Sequence, residues 1–167
     1  KVFLIYGRAH GLPVSILRLP NVYGPRAAVH SPEFTFNNFF VGQALKGGPI
    51  TVFGDGTQRR NLLFVDDAVS AILSLADFND KVADVFFAGA EDHFSVLEIA
   101  EAIAREFDCQ VQSLPWPNDR KSIEIGDVEI NTSKIQSTLN WAPKTNLTEG
   151  LKITKTFYLS YISRYLT

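Results

Sequence analysis

Apolar residues along the chain switch repeatedly between helical and extended spacing. In 1–10 they stand at Val2, Leu4, Ile5 and Ala9, near helical spacing, with Gly11 as a stop and Pro13 beyond it. The run 14–19 (VSILRL) predicts a buried strand, and 20–31 a loop marked by Gly24–Pro25. A helix is expected over 36–46, ended by Gly47–Gly48, then a short strand at 50–53 and a turn at 54–57. The run 61–65 (NLLFV) reads as a strand, with Asp66 or Asp67 capping a helix that runs to about Ala76. A strand follows at 84–88. The clearest element starts at Ser95, which forms a capping box with Glu98; Val96, Ile99, Ile103 and Phe107 then recur on one helical face. Beyond lie an edge strand at 111–114, a long polar loop at 115–126 and a short helix at 132–139. A second capping box, Asn146 with Glu149, opens a final helix whose apolar face is Leu147, Leu151, Tyr158, Ile162 and Leu166. Helices and strands alternate without an internal repeat, which predicts an α/β or α+β chain.

Composition narrows the class. With 167 residues, 46% apolar and 20% charged, the chain has enough apolar material for a core in one domain, or one domain and a fragment of another. The net charge is −2 and no Lys/Arg block exceeds two residues, so no nucleic-acid surface is expected. The single cysteine, Cys109, excludes an internal disulfide and a cysteine-based metal site. His10, His30 and His93 lie far apart without ligand spacing, so neither a metal site nor a Ser–His–Asp triad is expected. No apolar run reaches the roughly 18 residues of a membrane span and no signal-peptide pattern opens the chain, so the expected setting is cytoplasmic and reducing. The sequence has no methionine and opens inside a helical pattern, from which a start further upstream is expected.

Three stretches carry candidate chemistry. Asn21 follows a predicted strand, where open α/β sheets place ligands, and its amide both donates and accepts; an ordinary Asx turn is the alternative. Arg59 and Arg60 are adjacent, so on a strand they face opposite ways, and at most one serves a given phosphate or carboxylate. Either can equally be a solvated surface charge, as can Arg120 in the polar loop. Gly54-x-Gly56 lacks the third glycine of a dinucleotide fingerprint and precedes a strand rather than a helix.

Four stretches, in order, resemble one family: 11–26 (GLPVSILRLPNVYGPR), 47–69 (GGPITVFGDGTQRRNLLFVDDAV), 85–103 (VFFAGAEDHFSVLEIAEAI) and 120–151 (RKSIEIGDVEINTSKIQSTLNWAPKTNLTEGL). They resemble the C-terminal half of the extended short-chain dehydrogenase/reductases, the NAD-dependent nucleotide-sugar epimerases and dehydratases. The resemblance implies an α/β fold: the last strands of a Rossmann-type parallel sheet plus a small α/β substrate-binding domain. It implies that 1–26 and 61–90 are remnants of the Rossmann domain and that 27–60 and 91–167 are mainly substrate-binding. The NAD-binding half, with its glycine-rich loop and Tyr-x-x-x-Lys pair, would precede this sequence. No catalytic residue is therefore assigned, and the chain alone is expected to be inactive.

Residue by residue, the resemblance implies that Leu19, Pro20 and Val22 line the nicotinamide end of an NAD site. Asn21 would contact the sugar nucleotide's phosphates, and Thr35 and Phe36 would open a helix approaching the nucleotide. Thr51 and Phe53 would hold its base, and Arg60 and Arg120 would clamp its pyrophosphate. The expected partners are a UDP- or dTDP-sugar and a second copy of the chain in a homodimer, with neither nucleic acid nor membrane. The implied activity is epimerisation of the UDP-glucose 4-epimerase kind; the alternatives are dehydration of the dTDP-glucose 4,6-dehydratase kind, or a non-catalytic binding module. The chain departs from the family at Asn61, where aspartate is usual; at Leu62 and Phe64, where tyrosine is frequent; at Phe87–Ala88–Gly89, where Asn-x-Gly is frequent; and at Asn131, where aspartate is frequent.

Overall fold

Gly11 ends the first helix, α1 (Val2–His10), in the left-handed conformation at φ 63°, and its N–H bonds back to Gly7. The computed structural model describes residues 1–78 and 84–166. After α1 come β1 (Ser15–Arg18), β2 (Asn21–Tyr23), α2 (Phe36–Leu45), β3 (Ile50–Phe53), β4 (Arg59–Phe64) and α3 (Val65–Ala76). They are followed by β5 (Asp84–Phe87), β6 (His93–Ser95), α4 (Val96–Phe107), β7 (Val111–Leu114), α5 (Asn118–Lys121), α6 (Ser133–Leu139) and α7 (Leu147–Tyr165). Three elements differ from the sequence expectation. The expected loop 20–31 opens with β2, the expected polar loop 115–126 contains α5, and β6 leads directly into α4. β2 and β6 have three residues each, too few for a periodicity to show, and exist because β4 supplies hydrogen bonds on both edges.

The strands form three small sheets. β1 pairs parallel with β5, β3 parallel with β7, and β4 lies between parallel β2 and antiparallel β6. Among the described residues β1 has one neighbour, and it is half-buried to exposed, not the buried strand that 14–19 predicts. The helix before it presents Val2, Phe3, Ile5 and Tyr6 to solvent, each more than half exposed. A parallel strand is buried only when helices cover both faces of its sheet, and α1 leaves its apolar side uncovered.

Two apolar clusters hold the chain together. The larger joins Ile50 and Val52 of β3, Leu62 and Phe64 of β4, Ile99 and Ile103 of α4, and Leu151 and Tyr158 of α7. The smaller joins Leu63, Ala71, Phe86, Ile135 and Trp141. Both helix-start signals appear at their positions. Ser95 and Glu98 bond reciprocally, which holds the Glu98 carboxyl below its usual range. Asn146 accepts from the Glu149 N–H at 3.0 Å, while no return bond from Glu149 forms among the described residues. In α7 the expected apolar face is interrupted at Ile162, while Leu166 beyond it packs against the larger cluster. Tyr161 has non-helical φ −130°, and Ile162 beyond it is 38% exposed. Before that kink, the buried Tyr158 hydroxyl donates to the Ala27 carbonyl at 2.8 Å, and burial pushes its phenol up to about 12.

The reading of Asp66 or Asp67 as a helix cap is corrected. Phe64 is the N-cap residue of α3 and makes no side-chain cap bond. Asp66 is exposed. Asp67 is 4% exposed, and its two oxygens accept the N–H groups of Lys144 (2.9 Å) and Thr145 (3.0 Å). This carboxylate ties the segment before α7 to the start of α3, a long-range bond that sequence spacing does not reveal. Asp67→Ala leaves two backbone donors unpaired and is expected to cost about 1–3 kcal/mol. Asp66→Ala is expected to stay within about 0.5 kcal/mol. Urea unfolding of both variants checks the contrast; equal losses would refute the assignment.

Candidate functional site

Strand alternation divides β4 into two faces. Leu62 and Phe64 enter the larger cluster and Leu63 the smaller one. Arg60 lies on the Leu62 side and lines a cavity of about 620 Å³. Arg59 lies on the other face, is exposed, and donates to the His93 carbonyl.

α2 supplies one cavity wall with Phe36, Phe39, Phe40 and Gln43. Gln43 joins that wall to β3, where its Oε1 accepts the Thr51 N–H at 3.2 Å. Thr51 and Phe53 of β3 form the floor, and the Phe53 ring lies 5.7 Å from the Trp116 ring. Trp116 reaches that position because Gly54 has no side chain. A Cβ there would lie 2.3 Å from the indole nitrogen, and φ +68° also favours glycine. Asp119 and Arg120 of α5, with Ile123 and Glu124 after it, close the rim. Arg60 is held inside by Glu124 at 2.6 Å and by the Gly126 carbonyl at 2.6 Å. Among the described residues Arg120 is exposed and has no ion-pair partner.

The cavity thus brings together five of the residues singled out from the sequence: Phe36, Thr51, Phe53, Arg60 and Arg120. Asn21 and Thr35 lie outside its lining. Asn21 opens β2 opposite Leu62. The Thr35 hydroxyl is engaged by Asn38 Nδ2 at 2.7 Å, which also donates to the Val22 carbonyl at 3.1 Å, so it braces α2 against β2. Leu19, Pro20 and Val22 are likewise outside the cavity, after the carboxyl end of β1. Leu19 is 40% exposed, whereas Val22 packs against the smaller cluster. Sequence reasoning missed Trp116, Gln43, Asp119 and Glu124. The only signal was an indole between two prolines in a loop that otherwise reads as polar. No grouping of His, Cys, Asp and Glu able to hold a metal occurs among the described residues.

Asn61, a departure from the family pattern, has a structural role. It is 1% exposed, donates to the carbonyls of Ala90 (2.8 Å) and Asp92 (3.2 Å), and accepts the Ala90 N–H (3.0 Å). It thereby fixes the turn between β5 and β6. A carboxylate there would face two carbonyls with nothing to donate.

A family model, the NAD dependent epimerase/dehydratase family, matches residues 1–89. The chain belongs to this family. UDP-glucuronic acid decarboxylase 1 of Arabidopsis thaliana is 36% identical over 146 residues, 87% of this chain and 32% of that protein. An uncharacterized UDP-glucose epimerase of Bacillus subtilis is 28% identical over 151 residues, 90% of this chain and 46% of that protein. The structure of UDP-glucose 4-epimerase from Thermotoga maritima with UDP-glucose superposes with a TM-score of 0.83 at 28% identity, covering 95% of this chain and 50% of that one. A dTDP-glucose 4,6-dehydratase from Bacillus anthracis in complex with NAD gives 0.81 at 25% identity, over 98% and 50%. The fold is therefore that of extended Rossmann-type epimerases and dehydratases, and the chain spans about a third to a half of the length of the relatives it matches. The matched 1–89 carries Phe53 and Arg60; Trp116, Arg120 and Glu124, on the opposite rim, lie beyond it.

Two outcomes are expected. Asn61→Asp should cost about 1–3 kcal/mol in urea unfolding, because two carbonyls lose their donor. Gly54→Ala should displace Trp116 and red-shift the indole emission; an unchanged spectrum would contradict the packing.

Proposed function

We propose that this chain is the nucleotide-sugar-binding part of an NAD-dependent sugar-nucleotide epimerase of the UDP-glucose 4-epimerase kind. The observation that carries this reading is the convergence of Arg60 and Arg120, from β4 and a distant short helix, on a cavity that also holds Phe53 and Trp116. Two guanidinium groups suit the charge and fork geometry of a diphosphate. An aromatic pair suits the face of a base. The relatives' names differ in reaction and share a nucleoside diphosphate sugar, so a site for the shared portion is the role best supported here. The 36% identity to a UDP-glucuronic acid decarboxylase supports a second reading of the whole protein's reaction, with the same nucleotide grip.

NAD, when bound to the parent protein, accepts a hydride from the sugar and can return it. The residues present fit only one end of it. The exposed Leu19 and the imino acid Pro20, after the carboxyl end of parallel β1, offer apolar contact and no side-chain donor for a phosphate. Val22 is turned to the core and supports the strand instead. Asn21, beside them, is assigned to the sugar nucleotide's phosphates and Thr35 to bracing the helix. We assign 1–26 and 61–90 to the cofactor domain, and 27–60 and 91–167 mainly to substrate binding. The parent is assigned to the cytoplasm as a homodimer; no helix among the described residues is long and apolar enough to cross a membrane, and the exposed side of α1 is a surface available for assembly.

Arg60→Ala removes a charge-assisted contact worth about 1.5–3 kcal/mol, so UDP and dTDP binding should weaken by roughly ten- to a hundredfold. Arg59→Ala should leave binding unchanged. Calorimetric titration of both variants tests this; no loss at Arg60, or equal losses at both, would refute the clamp.

A further inference from the structure

The Arg60 guanidinium already has an anion. Its Nη2 meets Glu124 Oε1 at 2.6 Å, and its Nη1 donates to the carbonyls of Gly126 (2.6 Å) and Arg59 (2.9 Å). The two side chains are 12% and 25% exposed, so solvent screens the pair less than a surface bridge. Both line the cavity, as do Arg120 and Asp119. Its four formal charges, two arginines against two acids, therefore cancel. A diphosphate entering here meets no net positive field, and the fork it needs is taken.

The segment that carries Glu124 is held by the Ile123 and Glu124 N–H bonds to the Arg120 and Lys121 carbonyls, at 3.3 and 3.4 Å, and by the Arg60 bond to the Gly126 carbonyl, with little apolar burial. Ile123 and Ile125, on either side of it, are 69% and 75% exposed and contribute little burial. Gly126 sits at φ +72° with open space about its Cα. Apart from Arg60, the Glu124 carboxylate is bonded to the Gly126 N–H at 3.0 Å. Exchanging one anion for another at Arg60 thus requires moving a short exposed loop, with the core left in place.

We propose that Glu124 acts as the cavity's internal stand-in for phosphate: it occupies the Arg60 fork and yields it to the ligand's diphosphate as the 122–126 loop moves. This rests on the nucleotide reading given above. Glu124 then sets the affinity of the site. A simple nucleoside diphosphate must displace a carboxylate, and only a ligand with further contacts along the aromatic wall binds tightly. In Glu124→Gln the loop keeps its shape and an amide replaces the competing charge.

The test is calorimetric titration of UDP and dTDP into the 167-residue chain and into its Glu124→Gln variant, with hydrogen exchange of the wild-type chain alongside. The variant should bind UDP about tenfold more tightly, since one like charge competing for the guanidinium is gone. In the wild-type chain, added UDP should speed exchange of the Gly126 amide, which loses its carboxylate acceptor. UDP binding to the wild type with equal or weaker binding to the variant overturns the proposal and leaves the nucleotide reading standing. If the variant fails to fold, the exchange readout decides: a Gly126 amide that stays protected in the UDP complex overturns the proposal. Absence of UDP and dTDP binding to both chains overturns the nucleotide reading and this proposal with it.

Discussion

The period-two alternation of β4 is the constraint on which the rest depends. One face sends Leu62 and Phe64 into the larger cluster and Arg60 into the cavity; the other sends Leu63 into the smaller cluster and Asn61 into the turn after β5. A one-residue slip would exchange every one of these positions, turning Arg59 toward the cavity and Leu62 toward the face that holds Asn61 and Leu63. Such a slip is blocked from both edges. β2 fixes the register with Asn21 opposite Leu62, and β6 with Arg60 opposite Phe94. The backbone of Arg59 is held as well, donating to Asp127 at 2.7 Å and accepting from Val128 at 3.0 Å. The position of one arginine in the cavity is thus a consequence of core packing several residues along the same strand.

That arrangement explains why the cavity wall divides as it does. α2 and β3 are joined by Gln43 and packed on the larger cluster, so their aromatic side chains form a fixed surface. The opposite rim comes from 116–124, where α5 has four residues and none of them is buried. One wall is packed on the core and mainly apolar; the other is largely exposed and carries Asp119, Arg120 and Glu124. A site built this way can hold a flat ring against the fixed side while its charged side rearranges, which is the division of labour a nucleotide with a variable sugar requires.

Much of this was legible in the sequence, and the reasons are physical. Gly11, the Ser95–Glu98 box and the run Val96, Ile99, Ile103 depend on local geometry, which spacing encodes. So does the opposed orientation of Arg59 and Arg60. The three-residue strands β2 and β6 were not legible, because they owe their existence to a partner rather than to their own pattern. Asp67 was misread for the same reason. An aspartate in the first turn of a helix satisfies a local rule, while its actual partners, Lys144 and Thr145, are 77 and 78 residues away. Glu124 was passed over because a loop acid reads as solvated until the fold sets it against Arg60. Asn21 went the other way: its place after a strand suggested the cavity, and the fold puts it beside β4 instead.

The same geometry bears on how grip and chemistry divide along the parent chain. The cavity is lined by residues from Pro32 to Glu124, all within this chain. The residues assigned to the cofactor are instead at the end of β1, which pairs with β5 alone among the described residues, next to a helix whose apolar side is bare. Under the proposed reading, the nucleotide binds in this cavity and projects its sugar toward the end of β1. Binding energy gathered at Arg60, Arg120 and the Phe53–Trp116 pair then orients a group that these residues do not touch. It follows that substitutions in this cavity should act on the positioning of the sugar as well as on affinity. The identity of the reaction, whether epimerisation, dehydration or decarboxylation, would be decided at the β1 edge, where this chain contributes little beyond Leu19 and Pro20.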